Sequence, residues 1–528
     1  MRFGVSLLVL LLNGCTVATS DQLPGVRGWV SDRLLQFSEK AIIPLVVAKI
    51  SQASIPDISG EKDSVEYSFT NFKVGGISLS PHFSFVAGGV HLGLDGITSN
   101  INCDWHYKEK HWPHVPYGGG TAKIDIDAGT KVDVTLIPSV GPDGTPVLAL
   151  SGLAVALDLG HISIHGSMLS WLYDVLIDLV KGSLEKAVDA ALGAAVTAFV
   201  RDDVAKILAS LNLVMPLQLH APFDIAEIDF SLKRFNVTSS HMTVDAKGEI
   251  ESRNASDPPF PDAPPYLPDA PPSAFENYML SISIKDWVLN SGLWLFWTKN
   301  LLYYTLLPSD VPRSFPVQLT TASFASIAPQ LPHLYPNMTM ALTVNASGQP
   351  LVEFDAHGHN AMTASIPSHL SFAVLLPNGS FVPAFTLSVP VGVGVHAWVG
   401  QTTAVTHSAA ARAAGSRAHL AGSGVHLATG PEMVYGNGSE VIYGNVSLLE
   451  CTPLSVISSQ VGTVRVSALS SFVAFLLAHV VVPAANKLVE AGFPIPTSSA
   501  GVGLDRVALE MQNDALQVRA DFTYTAPP

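Results

Sequence analysis

The chain has 528 residues and a formal net charge of −15, with 48% hydrophobic and only 13% charged residues. A net acidic chain repels phosphate backbones at long range, which argues against nucleic acid as a partner. Three cysteines are too few for a disulfide scaffold, and a typical soluble chain carries about 25% charged residues, so there is more apolar surface than the usual charged shell covers.

A spanning helix would explain that excess. After the N-terminus the strongest apolar run is "SFVAFLLAHVVVPAA", Ser471 to Ala485, which contains His479 and Pro483. It falls short of the ~18–20 residues that a membrane crossing needs. The excess is therefore spread over many amphipathic elements, and either the core is unusually large or something apolar that is not protein lies against it.

In chain order, residues 1–20 read as a secretory signal: Arg2, the apolar stretch Val5 to Leu12, then small residues at Ala18 and Ser20. "LNGC" also resembles a bacterial lipobox at Cys15. Seven sequons support export as a secreted glycoprotein: Asn236, Asn254, Asn337, Asn345, Asn378, Asn437 and Asn445. Without the signal only Cys103 and Cys451 remain, in different halves, and neither has a ligand-like Cys or His spacing.

Val26 to Ile50 has helical spacing, with Val30, Leu34, Phe37 and Ala41 on one face and Pro44 expected to kink or interrupt it. "TAKIDIDAGTKVDVTLI" alternates at period two, which predicts a sheet with one apolar and one wet face. Ser167 to Val200 is the clearest helix, with Leu169, Leu172, Leu176, Leu179, Leu184 and Val188 in its apolar stripe and Gly182 a possible break. "SHMTVDAKGEIESR" reads as a strand. It leads into "DPPFPDAPPYLPDAPP", Asp257 to Pro272, a stiff strap near the midpoint.

Beyond the strap, Met279 to Trp297 reads as a strand followed by an apolar helix carrying Leu293 and Phe296. Further strands follow, with "PNGS" at Pro377 to Ser380 as a hairpin turn. Residues 401–440 form a Gly/Ala/Ser-rich insert, expected to be a flexible loop. A long apolar helix carries Phe472, Leu476 and Val480, and two strands close the chain. Each half is thus a curved sheet plus long amphipathic helices, and a helix packing imperfectly in a rolled sheet leaves an apolar slot.

Catalytic signatures are lacking: no G-x-S-x-G elbow, no P-loop and no H-E-x-x-H. No enzymatic role and no cofactor are expected. His106, His111 and His114 cluster in one hairpin, but a metal site needs three or four converging ligands. Surface histidines that respond to mild acid are the simpler reading.

The stretches "PGVRGWVSDRLLQF", "IPDISG", "YSFTNFKVGGISL", the proline strap, "FPVQLTT", "YPNMTMALTVNAS" and "KLVEAGFPIPT" occur in this order. Together they make the chain resemble the bactericidal/permeability-increasing and lipopolysaccharide-binding protein family, relatives of the plasma lipid-transfer proteins. The resemblance covers nearly the whole mature chain. It implies an α+β fold: an elongated boomerang of two pseudosymmetric barrels, each a twisted antiparallel sheet with long helices, joined by a central sheet. The corresponding division is an N-terminal barrel at 21–253, a proline-rich linker at 254–275 and a C-terminal barrel at 276–528.

In the family each barrel holds a phospholipid in an apolar pocket. The resemblance therefore makes lipid-contact candidates of Leu34, Phe37, Leu169, Leu172 and Leu176 in the first barrel. In the second they are Leu293, Phe296, Phe472, Leu476 and Val480. The competing reading is that each is ordinary core. The hairpin Cys103 to Gly120 falls at the family's cationic tip, so Trp105, Tyr107, Lys108, Lys110 and Trp112 are candidates for headgroup or membrane contact; Glu109 and the acidic surroundings weigh against it. The family's disulfide between a strand and the long helix is absent, because the aligned positions are Leu153 and Gly193. An apolar contact must substitute.

The resulting expectation is a secreted protein that holds phospholipid or lipopolysaccharide, met at a membrane or lipid-aggregate surface, in innate defence against Gram-negative bacteria. Lipid transfer is the alternative within that class. A structural glycoprotein with filled barrels is the alternative outside it.

Overall fold

The computed structural model describes residues 23–524 apart from 111–116, 167–169, 312–316, 356–361, 402–439, 484–485, 487–492, 495–497 and 500–501 and the single positions 63, 210, 218, 220 and 274. The signal segment, most of the insert, and Trp112, His111, His114, Leu169 and Asn437 lie outside the described residues.

The first half opens with β1 (Val26–Ser31) running directly into α1 (Asp32–Ser51). The helix continues through Pro44 with no interruption. There follow β2 (Ile58–Lys62), β3 (Val65–Val86), β4 (Gly89–Glu109), β5 (Tyr117–Val140), β6 (Pro146–Ala156) and β7 (Leu159–Gly166), all paired antiparallel in the order β2-β3-β4-β5-β6, with β7 also on β5. Period-two patterning builds this sheet: Ile124, Ile126, Val132, Val134 and Leu136 of β5 are buried, while Lys123, Asp127 and Lys131 face water. Helix α2 (Ser170–Ala198) runs past Gly182 without a break and lays Leu184, Val188, Leu192 and Val196 into the core that the sheet encloses. Short strands β8 (Val214–Pro216) and β9 (Ala226–Asp229) precede β10 (Leu232–Val237), β11 (His241–Ala246) and β12 (Glu249–Ser252).

The second half starts with β13 (Leu280–Lys285) and α3 (Asp286–Thr298), the predicted strand and helix. A second sheet contains β14 (Tyr303–Leu306), β15 (Thr339–Ala346), β16 (Leu351–Phe354), β17 (Met362–Leu375), β18 (Phe381–Gln401), β19 (Glu440–Glu450) and β20 (Ser455–Ser459). The turn between β17 and β18 needs Gly379, whose φ is +83°. Gln401 pairs with Glu440, so the insert is the connection between the two strands of the β18–β19 hairpin. Helix α4 (Val466–Leu476) fills this sheet, and Phe472 meets Phe324 and Phe372 in an aromatic core with ring centroids 5.3 and 6.4 Å away. Short pairs β21 (Phe493–Pro494) and β22 (Ser498–Ser499) precede β23 (Val502–Gln512) and β24 (Ala515–Tyr524).

A central seven-stranded sheet, ordered β10-β11-β1-β13-β24-β23-β22, joins the halves. Strand β1 pairs antiparallel with β11 on one side and with β13 on the other, so the seam between the halves is a continuous ladder. The first core accordingly draws in Leu280, Trp287, Val288 and Phe522 from beyond the strap.

The proline strap crosses one face of this sheet and is fastened at both ends. Phe260 packs against Trp287 and Trp294, its N–H donates to Glu249, and the Trp287 indole N–H donates to the Asp262 carbonyl at 2.7 Å. At the other end Arg27, buried, donates to the carbonyls of Leu267 and Pro268 at 2.7 Å each and to Asp269 at 2.9 Å. Its remaining nitrogens grip Asp245 at 2.5 and 2.9 Å.

Candidate functional site

Among the described residues, one feature with ligand-binding character is an apolar recess in the first half, a gap of about 20 Å³. It lies where three surfaces fail to meet fully. Ile50, Ala53 and Ile55 come from the end of α1 and the turn after it. Val74, Ile97, Ser99, Ile101 and Ile126 come from the concave face of β3, β4 and β5. Val188, Ala191 and Leu192 come from α2. Ser99 is the single polar side chain among them, and its hydroxyl donates to the Gly75 carbonyl at 2.8 Å. The wall therefore offers a ligand no unmet hydrogen bond. Such a space suits hydrocarbon, because a water there would lack the two to four polar partners it needs.

The sequence-predicted lipid residues sit elsewhere. Leu34 is buried in the first core near the start of α1, more than four turns before Ile50. Phe37 packs on Phe522 of the central sheet with ring centroids 6.4 Å apart. Helix α1 thus lends the recess its last turn and not its first. Leu172 and Leu176 lie on α2, but their side chains are outside the described residues; the part of α2 that lines the recess starts three turns later. Leu293 and Phe296 are half-buried on α3, where Phe296 meets Phe223 edge-on, and α3 packs on β12 and β16, not inside the second sheet. Phe472 and Leu476 are enclosed in the second aromatic core, and Val480 packs against its margin. Leu34, Phe472 and Leu476 are thus packed by protein, while Phe37, Leu293, Phe296 and Val480 keep part of their surface.

The hairpin tip is also corrected. Cys103, Trp105 and Tyr107 alternate inward on β4, and Trp105 is fully buried with its indole N–H donating to the His165 carbonyl at 3.1 Å. Tyr107 stacks on it at 5.9 Å. Neither ring can settle in a membrane interface from there. Lys110 bridges Glu61 and Glu66, each at 2.7 Å. The hydrogen bond to Glu61 is the main cause that raises the lysine's pKa, and the bond from Lys110 lowers that of Glu66. Lys108 remains exposed, opposite Glu66. At its end β4 offers Lys108 to solvent, beside a cluster in which Lys110 is outnumbered by Glu61 and Glu66.

No group of three or more metal-ligating side chains occurs among the described residues. Cys103 and Cys451 are free and belong to different cores, and burial pushes the Cys103 thiol up to about 12. Leu153 and Gly193 do face one another: a Cβ at 193 would stand 3.6 Å from Leu153 Cδ2 and 3.9 Å from Val155 Cγ2. Of the sequons, Asn236, Asn254, Asn337, Asn378 and Asn445 are exposed and Asn345 is half-buried within β15.

The recess residues were hidden from periodicity, which shows that a face is apolar but not where two apolar faces leave a gap. One signal was available: "IIPLVVAKI", Ile42 to Ile50, is apolar around the helix save for Lys49, more than one packing face needs.

Comparison with known proteins places this architecture. Residues 223–524 match the family model of the LBP/BPI/CETP family, C-terminal domain. A bactericidal permeability-increasing protein of Sebastes schlegelii is 24% identical over 514 residues, covering 95% of this chain and 96% of its own. The human lipopolysaccharide-binding protein is 23% identical over 395 residues, covering 74% and 79%. A crystal structure of lipopolysaccharide binding protein superposes with a TM-score of 0.55 at 18% identity, covering 96% of this chain and all of that one.

Proposed function

The chain belongs to the LBP/BPI/CETP family of lipid-binding, non-enzymatic proteins, and from that premise we propose that it is a secreted carrier that shelters the hydrocarbon of an amphipathic lipid in the recess between α1, α2 and the first sheet. The observation that carries this reading is the chemistry of that wall: ten apolar residues and one internally satisfied serine. Each acyl methylene taken from water into such a space is worth ~0.8 kcal/mol. Affinity then comes from tail burial, with phospholipid or the lipid part of a bacterial glycolipid as occupant.

Two uses compete, defence against Gram-negative bacteria and lipid transfer. The neutralised Lys110 and the net charge of −15 favour transfer, because capture of an anionic glycolipid by its headgroup calls for free positive charge. Organic extraction and mass spectrometry of the secreted, purified protein tests the carrier reading: co-purifying lipid is expected, and protein free of lipid that also fails to take any up from vesicles would end it. Lipopolysaccharide binding and phospholipid exchange, each titrated with salt, separate the two uses; transfer predicts exchange with little salt dependence.

A further inference from the structure

Strand β6 is the outer edge of the first sheet, and from Pro146 to Ala156 it carries no charged side chain. Sheet edges that face water are normally blunted by charge, and a large apolar surface left open marks an interaction. Here Val147 is 45% and Leu153 38% exposed, and Ala149, Ser151, Ala154 and Ala156 are exposed between and beyond them. The register slips where β6 passes Gly152, so that Leu153 and Val155 turn toward α2. The opposite bank is α2, uncharged from Ala190 to its end at Ala198, with Gly193 leaving room for a methyl against Leu153.

The recess lies just behind this seam. Val188, Ala191 and Leu192 form its helical wall, and Gly193, the next residue, faces β6. One helix thus separates an apolar cavity from an apolar, uncharged surface strip.

We propose that the β6–α2 seam is the face with which the protein docks on a neutral or zwitterionic lipid surface, and the side through which an acyl chain reaches the recess. This rests on the lipid-carrier reading above. Charge selects the occupant. The strip is neutral, its flanks carry Asp143, Asp158, Asp202 and Asp203 against Arg201 and Lys206, and the chain is acidic overall. An anionic membrane is therefore repelled, and so is a second copy laid edge to edge, whereas a phosphatidylcholine surface is not. The strip sits at headgroup depth, since the polar backbone of a sheet edge cannot enter hydrocarbon.

The test is flotation of the full secreted chain with phosphatidylcholine vesicles, comparing wild type, A149D/A154D and A149S/A154S. Both positions are exposed, so the charges leave the core untouched. The aspartates should weaken vesicle binding by about tenfold or more, the equivalent of 1.4 kcal/mol per decade, and the serines should bind as wild type does. Uptake of a phosphatidylcholine with a fluorescent acyl chain should slow in parallel when it is offered in vesicles. Final occupancy should be unchanged when the same lipid is offered from detergent. Equal flotation by A149D/A154D and wild type, or no flotation by wild type, overturns the docking face. A dimer that A149D/A154D dissolves while vesicle binding persists gives the strip to a second copy and also overturns it. Wild type that accepts no lipid by either route refutes the carrier reading itself, a different result from a loaded protein that docks elsewhere.

Discussion

Arg27 shows how one side chain can hold a long strap. It is buried, it chelates Asp245, and its remaining N–H groups reach two strap carbonyls and Asp269. Removing one member of a buried ionic network leaves the other charge uncompensated, which costs about 3–5 kcal/mol. Asp245 keeps Arg234 at 2.9 Å, so R27M is expected to lose about 3 kcal/mol, the lower end of that range, measured by denaturant unfolding. The bond from Arg234, with burial opposing it and Arg27 adding to it, holds the Asp269 pKa below the usual carboxylate value. A depressed folded pKa stabilises above the unfolded value, ~3.9, and that contribution fades as pH falls through the folded one. Stability should therefore drop below about pH 4, and D269N should flatten that part of the profile. The same sheet face has a contrary feature. Ser281 is completely buried and its hydroxyl has no partner among the described residues, and Thr243 and both amide atoms of Gln517 are likewise unmet there. An unsatisfied buried polar group costs about 1–3 kcal/mol. S281A should thus be neutral or raise stability by about 1 kcal/mol; a clear loss in thermal unfolding would mean that the hydroxyl is bonded in solution.

Among the elements, α2 has the most exposed weakness. Gly193 stands mid-helix where the related fold's crosslink would fall, and its neighbours Leu153 and Val155 leave ordinary contact distance for a methyl. G193A should stabilise the helix by about 1 kcal/mol, seen as a higher denaturation midpoint with an unchanged slope. Most elements were legible in the sequence because periodicity survives folding: the strand and helix from Met279 to Trp297, the turn at Pro377 to Ser380 and the two closing strands all stand where alternation or helical spacing placed them. Pro44 was over-read, since α1 absorbs it. Trp105 and Tyr107 were misplaced because aromatics near lysines suggest an interface. The better signal was in the same stretch: Cys103, Trp105 and Tyr107 share one parity and Asp104, His106 and Lys108 the other, and a strand must turn one set inward. The recess, by contrast, depends on how far α1, α2 and the sheet stand apart, a distance no single element encodes.

At the scale of the whole molecule, the two halves do not use their apolar residues in the same way. In the second half Phe472 of helix α4 closes a cluster with Phe324, Phe372 and Phe385, the last two stacking at 4.5 Å. The first half's helices meet aliphatic walls that leave a gap of about 20 Å³ among the described residues. A void costs dispersion contacts unless something occupies it, so in a lipid carrier the tail completes the core of the first half. Filling the space with protein should then replace the lipid. A191F aims a ring from α2 into the recess, which must widen to take it, so the usual overpacking cost of ~1–3 kcal/mol applies. The expected result is a folded variant, less stable than wild type by about that amount, that carries much less extractable lipid and takes up little from vesicles. If A191F retains the wild-type lipid content, the hydrocarbon lies somewhere other than between α1, α2 and the first sheet. If it loses both lipid and fold, the tail is structural, and delipidated wild type should show the same loss of stability.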